Sequence, residues 1–103
     1  MELKVTPWTQ ETPPTEEELR NLLIAQELNV YRWANGPDDV YPGHTHGYHK
    51  ILYVITGSIK FDLPTQHETM NLKAGDKLEL PAGMRHSAVV GPDGVACFEA
   101  HIY

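Results

Sequence analysis

The sequence is short of several things, and each shortage removes a class of function. One cysteine in 103 residues rules out an internal disulfide, and Cys97 stands among apolar neighbours (Val95-Ala96-Cys97-Phe98) as a buried, inert thiol does. Basic residues are few: eight Lys and Arg against fourteen Asp and Glu give a formal net charge of -6. That balance leaves no cationic face for nucleic acid or for an anionic membrane surface. No apolar run approaches the ~18 residues of a membrane span, and Met1-Glu2-Leu3-Lys4 opens no secretory signal, so the expected compartment is cytoplasmic. No repeat of fixed period is visible. A chain of this length builds one core and one domain, expected over residues 1–103, and the charge balance says little about a small-molecule partner.

What is present divides into two parts, an arm and helix over residues 1–27 and a β region over 28–103. Three prolines (Pro7, Pro13, Pro14) interrupt the first stretch, where Lys4-Val5 or Pro7-Trp8-Thr9 has room for one short edge strand and Trp8 reads as an anchor. Thr15 with Glu18 three residues later forms a capping box, and Leu19, Leu22, Leu23 and Gln26 follow at helical spacing, which predicts a helix from Glu16 to about Glu27. From Leu28 the period changes to two, with Leu28, Val30 and Arg32 on one face and Asn29, Tyr31 and Trp33 on the other. Turns at Asn35-Gly36-Pro37 and Pro42-Gly43 lead into Ile51 to Thr56, apolar on both faces and therefore covered on both. Gly57-Ser58 and Gly91-Pro92-Asp93-Gly94 read as strand breaks. Seven or eight short strands after one helix are the pattern of an all-β barrel or sandwich.

The chemistry concentrates in Gly43-His44-Thr45-His46-Gly47-Tyr48-His49-Lys50, which holds three of the six histidines. On an extended strand His44 and His46 leave the same face, and imidazole is the commonest protein metal ligand. Downstream stands Gly75-x5-Pro81-x-Gly83-x2-His86. This block resembles the second motif of the cupin superfamily at full spacing, and Gly43-His44-x-His46-x3-Lys50-x6-Gly57 is similar to the first. The resemblance covers about Asp38 to Val90 directly. It implies an all-β, double-stranded β-helix (jelly-roll) barrel, and a metal held by two histidines and a glutamate of the first motif with the histidine of the second. His44, His46 and His86 match as metal ligands; the glutamate position is Lys50.

By strand parity Lys50 shares the face of His44 and His46, yet an ammonium has donors and no lone pair. Three arrangements are open. The metal is held by His44, His46 and His86 alone, leaving positions for water or substrate. Or a neutral Lys50, or His49 brought in by a bulge, adds a fourth contact. Or no metal binds, and Lys50 meets an anionic ligand or pairs with Glu99. An all-histidine donor set favours a divalent transition metal (zinc, iron, nickel, copper or manganese) over magnesium or calcium. A lysine freed of its proton acts as a base or Schiff-base nucleophile, so Lys50 is the candidate catalytic residue. Glu99 and His101 lie on one face of the last strand as candidates to support the imidazoles, His67 sits in a polar loop, and Tyr48, Phe61, Met84, Ala88 and Phe98 read as core or lining.

The expected function is thus a small metal-binding cupin that binds or acts on a small molecule; the resemblance leaves oxygenase, isomerase and lyase chemistry open. The alternative is a metal-free ligand-binding or sensor cupin with Lys50 in the cation position. The doubly apolar strand Ile51–Ile55 and the Trp8 arm point to a homodimer.

Overall fold

A computed structural model describes residues Met1–Tyr103 as β1 (Lys4–Thr6), α1 (Glu16–Ile24), β2 (Val30–Asn35), β3 (Val40–His44), β4 (His49–Leu63), β5 (Glu68–Lys73), β6 (Lys77–Leu80) and β7 (His86–Ile102). A short 3-10 turn, Pro64–Gln66, links β4 to β5. All strand pairs are antiparallel, in the order β1-β6-β4-β7-β2, with β5 added to β4 and β3 added to β7. No helix is long and apolar enough to cross a membrane.

The two glycine breaks expected to end strands are corners inside them. β4 runs 15 residues and β7 runs 17, and each changes partners partway, so that its two halves serve different parts of one seven-stranded sheet. The first half of β4 pairs with β6 and the second half of β7; its second half pairs with β5 and the first half of β7. The register shifts between Val54/Thr56 and between Gly57/Ile59, bulges that raise local twist and let one strand turn a barrel corner. Gly57 (φ +77°) makes that corner against Gly94, where a Cβ would lie 1.9 Å from the Gly94 carbonyl oxygen. Gly57→Ala therefore combines a left-handed backbone for a residue with a Cβ and a clash with main chain, each of order 1–3 kcal/mol. The expected loss is more than about 2 kcal/mol in chemical denaturation, and a near-neutral result would mean the corner yields.

Two apolar clusters lie on opposite faces of β4. On the inner face pack Leu52, Val54, Ile59, Phe61, Leu63, Leu72, Leu78, Leu80, Ala88, Val90, Val95 and Cys97. Cys97 is a free, fully buried thiol whose pKa burial pushes up, in keeping with inertness. On the outer face Ile51, Tyr53, Ile55, Ala96 and Phe98 are covered by Leu19 and Leu23 of α1. The strand is covered on both sides as its sequence requires, and the outer cover is the chain's own helix, so the apolar face that pointed to a second copy is met within one chain.

The capping box forms: Thr15 Oγ1 accepts from the Glu18 amide at 3.1 Å, and the Glu18 carboxylate accepts from the Thr15 amide at 3.0 Å. The helix stops at Ile24, short of the expected Glu27, because Glu27 adopts a left-handed backbone (φ 59°) that turns the chain into β2. Trp8 anchors the arm as expected. Its amide donates to Asp76 Oδ1 at 2.9 Å, and its ring fills the space that a Cβ on Gly75 would need.

Candidate metal and ligand site

β3 and the start of β7 place His44 directly opposite His86 in register, and their rings stand 4.4 Å apart between centroids. His46 arrives differently from expectation. β3 ends at His44, so His44 and His46 do not share one extended strand. Residues 45–48 turn instead, held by the Gly83 amide donating to the His46 carbonyl at 2.9 Å and the Ala82 amide donating to His49 Nδ1 at 3.0 Å. The loop of the second motif thus clamps the loop of the first. One ligating atom from each of His44, His46 and His86 lies within 4.8 Å of the others. His49 is turned to Ala82 and does not join them.

Backbone carbonyls orient two of the rings. His44 Nδ1 lies 2.7 Å from the Pro42 carbonyl and His86 Nδ1 lies 2.9 Å from the Met84 carbonyl. As neither carbonyl can donate, both imidazoles place the proton on Nδ1 and keep the Nε2 lone pair free. His86 is 2% exposed, and its Nε2 is buried without any hydrogen-bond partner. His44 Nε2 and His46 Nε2 face one another at 2.9 Å. An orphaned buried nitrogen beside two further imidazole nitrogens, with the His44 and His86 tautomers preset by carbonyls, is a donor set suited to a borderline-soft divalent cation, so these residues fit a transition metal.

Beyond the histidines lies a second polar centre. Glu99 on β7 is 4% exposed and is surrounded by donors. Trp33 Nε1 donates to its Oε1 at 3.1 Å, and Lys50 Nζ lies 3.5 Å from the same oxygen. Its Oε2 accepts from the Tyr31 hydroxyl and lies 2.6 Å from His101 Nε2. Burial pushes the Glu99 carboxyl up, but Lys50, Tyr31 and His101 together outweigh it and hold the group below the usual carboxylate range. His101 stacks on Tyr48 with centroids 3.8 Å apart. Sequence reasoning named Lys50, Glu99 and His101 but missed Tyr31 and Trp33. The signal was there in part, since both lie on one face of β2; the β2–β7 register that sets Tyr31 opposite Glu99 was not readable.

Both centres open onto one cavity of about 360 Å³, at the small end of the ~300–1,000 Å³ of ligand clefts. Its polar lining includes His44, His46, His86, Lys50 and Glu99, and its aromatic walls include Tyr31, Trp33, Tyr41, Tyr48 and Phe61. Met84 packs instead against the main core and Phe98 under the helix. Burial lowers the pKa of His46 to about 4 and that of His86 below its ordinary value, helped in both by the charge of Lys50. Both imidazoles are thus neutral near pH 7, as ligation needs.

These shifts have one sign for stability. Below the ordinary histidine value near 6.5, the unfolded chain binds protons that folded His46 and His86 refuse, so stability falls as pH drops. The depressed Glu99 adds stability above its unfolded value near 4.3, lost as pH falls through its folded value. Urea midpoints of the chelator-treated protein should decrease steadily from about pH 7.5 to 4; a flat or rising series would contradict these ionisation states.

The model of the AraC-like ligand binding domain family matches residues 28–103. No curated protein matches the sequence. Among solved structures, the polyketide cyclase RemF from Streptomyces resistomycificus aligns with TM-score 0.62 at 27% identity, over 70% of this chain and 52% of that one. KdgF from Halomonas sp. aligns with TM-score 0.60 at 24% identity, over 72% and 67%. An RmlC-like cupin from Shewanella frigidimarina aligns with TM-score 0.63 at 21% identity, over 73% and 65%. The chain thus spans about half the length of the cyclase.

Proposed function

The chain belongs to the AraC-like ligand-binding domain family, within the cupin superfamily of double-stranded β-helix proteins, and from that premise we propose that it binds a small molecule at a three-histidine transition-metal centre. The observation that carries this reading is the buried, partnerless Nε2 of His86 beside His44 and His46. A buried nitrogen lone pair left without a donor costs about 1–3 kcal/mol, and a cation at that position removes the cost. His44, His46 and His86 are the proposed ligands, with the Pro42 and Met84 carbonyls orienting the first and the last. A transition metal held there supplies Lewis-acid polarisation of a bound oxygen. The remaining residues enclose the small molecule: aromatic walls limit its size, and Lys50 faces it with an ammonium where the cupin pattern has a carboxylate.

The Lys50–Glu99 pair favours one second reading, ligand binding without metal, in which Lys50 supplies the positive charge. Calorimetric titration of chelator-treated protein separates the two. The first predicts one saturable site for zinc, nickel or iron(II) and none for magnesium, because the donors are all nitrogen. Absence of a transition-metal site would leave the second.

A further inference from the structure

The ligand's chemical class follows from the charges around the cavity, an inference that rests on the small-molecule site above. Lys50 is 8% exposed, and an ammonium withdrawn from water needs its donors met. The contact it makes, with Glu99 Oε1, is 3.5 Å long, beyond the ~2.7–2.9 Å of a charge-assisted hydrogen bond. That contact engages at most one of three donors. Glu99 meanwhile spreads its charge over Tyr31, Trp33 and His101 as well, so it answers Lys50 only in part.

The histidines add nothing negative, since they offer neutral nitrogens. A lysine in place of a glutamate makes the cavity two charges more positive, and Glu99 restores one. Without a cation Lys50 and Glu99 balance to zero, a divalent cation beside them makes the cavity net positive, and in either case the Lys50 donors that Glu99 leaves unmet call for a ligand oxygen. Flat rings form the walls: Trp33 meets Tyr41 edge-on at 6.0 Å between centroids, and Tyr48 stacks on His46 at 4.8 Å. Such walls favour a planar guest over a puckered one.

We propose that the cavity selects a small planar oxyanion, an aromatic or conjugated carboxylate or enolate, with its anionic oxygen on Lys50 Nζ and its plane among Trp33, Tyr41, Tyr48 and Phe61. Glu99 acts as a positioning residue that holds the lysine in the cavity.

The test uses benzoate and its neutral isostere benzamide in chemical-shift titrations of the intact chain, with cyclohexanecarboxylate as the non-planar anion. Benzoate is expected to bind at least about tenfold more tightly than benzamide, the worth of one charge-assisted bond, and more tightly than cyclohexanecarboxylate. Lys50→Arg should keep the preference for the anion, whereas Lys50→Met should bring the ratio near one. If Lys50→Met does not fold because Glu99 is left alone, Lys50→Met/Glu99→Gln removes both charges and reads the same ratio. Equal binding of benzoate and benzamide, binding of neither, no preference for the planar acid, or an anion preference that survives loss of Lys50 each overturns the proposal. Metal content measured on the same samples keeps the two readings apart: a metal-free chain that still prefers benzoate defeats the metal centre alone, and a metal-loaded chain without the preference defeats the oxyanion alone.

Discussion

Glu99→Leu is expected to lower the unfolding free energy by about 3–5 kcal/mol, the range for removing one partner of a buried ion pair. The carboxylate is 4% exposed and Lys50 is 8% exposed, so the substitution leaves an ammonium in the interior without its counter-charge. It also strips the acceptor from the Trp33 indole N–H and the Tyr31 hydroxyl. Each orphaned buried donor costs about 1–3 kcal/mol more unless it turns to water. Tyr31 is 45% exposed and can turn, whereas Trp33 is half-buried against Tyr41 and cannot do so freely. Denaturant midpoints at pH 7 measure the loss. Adding Lys50→Met to Glu99→Leu should recover a large part of it, since an apolar pair replaces the lone charge. A loss below about 1 kcal/mol, or no recovery in the double variant, would mean that the pair is solvated and carries no structural weight.

His86→Leu is expected to do the reverse, costing function and sparing the fold. His86 lies 2% exposed with Nε2 unpartnered, so leucine of similar volume removes an unsatisfied polar atom, keeps the packing against Phe61, and gives up one hydrogen bond to the carbonyl of half-buried Met84. The metal-free variant should therefore be as stable as the parent to within about 1 kcal/mol, or more stable. Metal affinity should drop at least about 100-fold, because two histidines remain where catalytic sites use three protein ligands. His67→Ala is the control: its ring lies at the β4–β5 turn, outside the cluster, and affinity should stay within a few-fold. If His86→Leu destabilises the metal-free chain strongly while leaving metal affinity intact, the histidine is a core residue and not a ligand.

How far the site was legible follows from which contacts are local. His44 and His86 are fixed by motif spacing on either side of β3 and β7, and a spacing is visible without coordinates. His46 was found for a partly mistaken reason: the expected straight strand is a turn, and the clamp from Ala82 and Gly83 restores the convergence. Tyr31 and Trp33 escaped because they meet Glu99 across 68 and 66 residues. Such pairing depends on the register between β2 and β7, strands far apart in the chain, and the period-two pattern within each strand does not fix it. The same limit explains the strand count. Gly57 and Gly94 read as ends because positive-φ glycines usually sit in turns, yet here they bend two continuous strands past one another. The helix boundary failed at Glu27 because no glycine marks its left-handed stop.

The central proposal, a metal on His44, His46 and His86, is tested most directly by metal content. The chain would be purified without affinity tag or chelator and assayed by mass spectrometry beside His44→Ala/His86→Ala prepared identically. The expected result is about one transition-metal ion per parent chain and almost none in the double variant. No bound metal in the parent, even after incubation with iron, zinc, copper, nickel and manganese, would contradict a metal centre and leave Lys50 as the charge that a ligand meets.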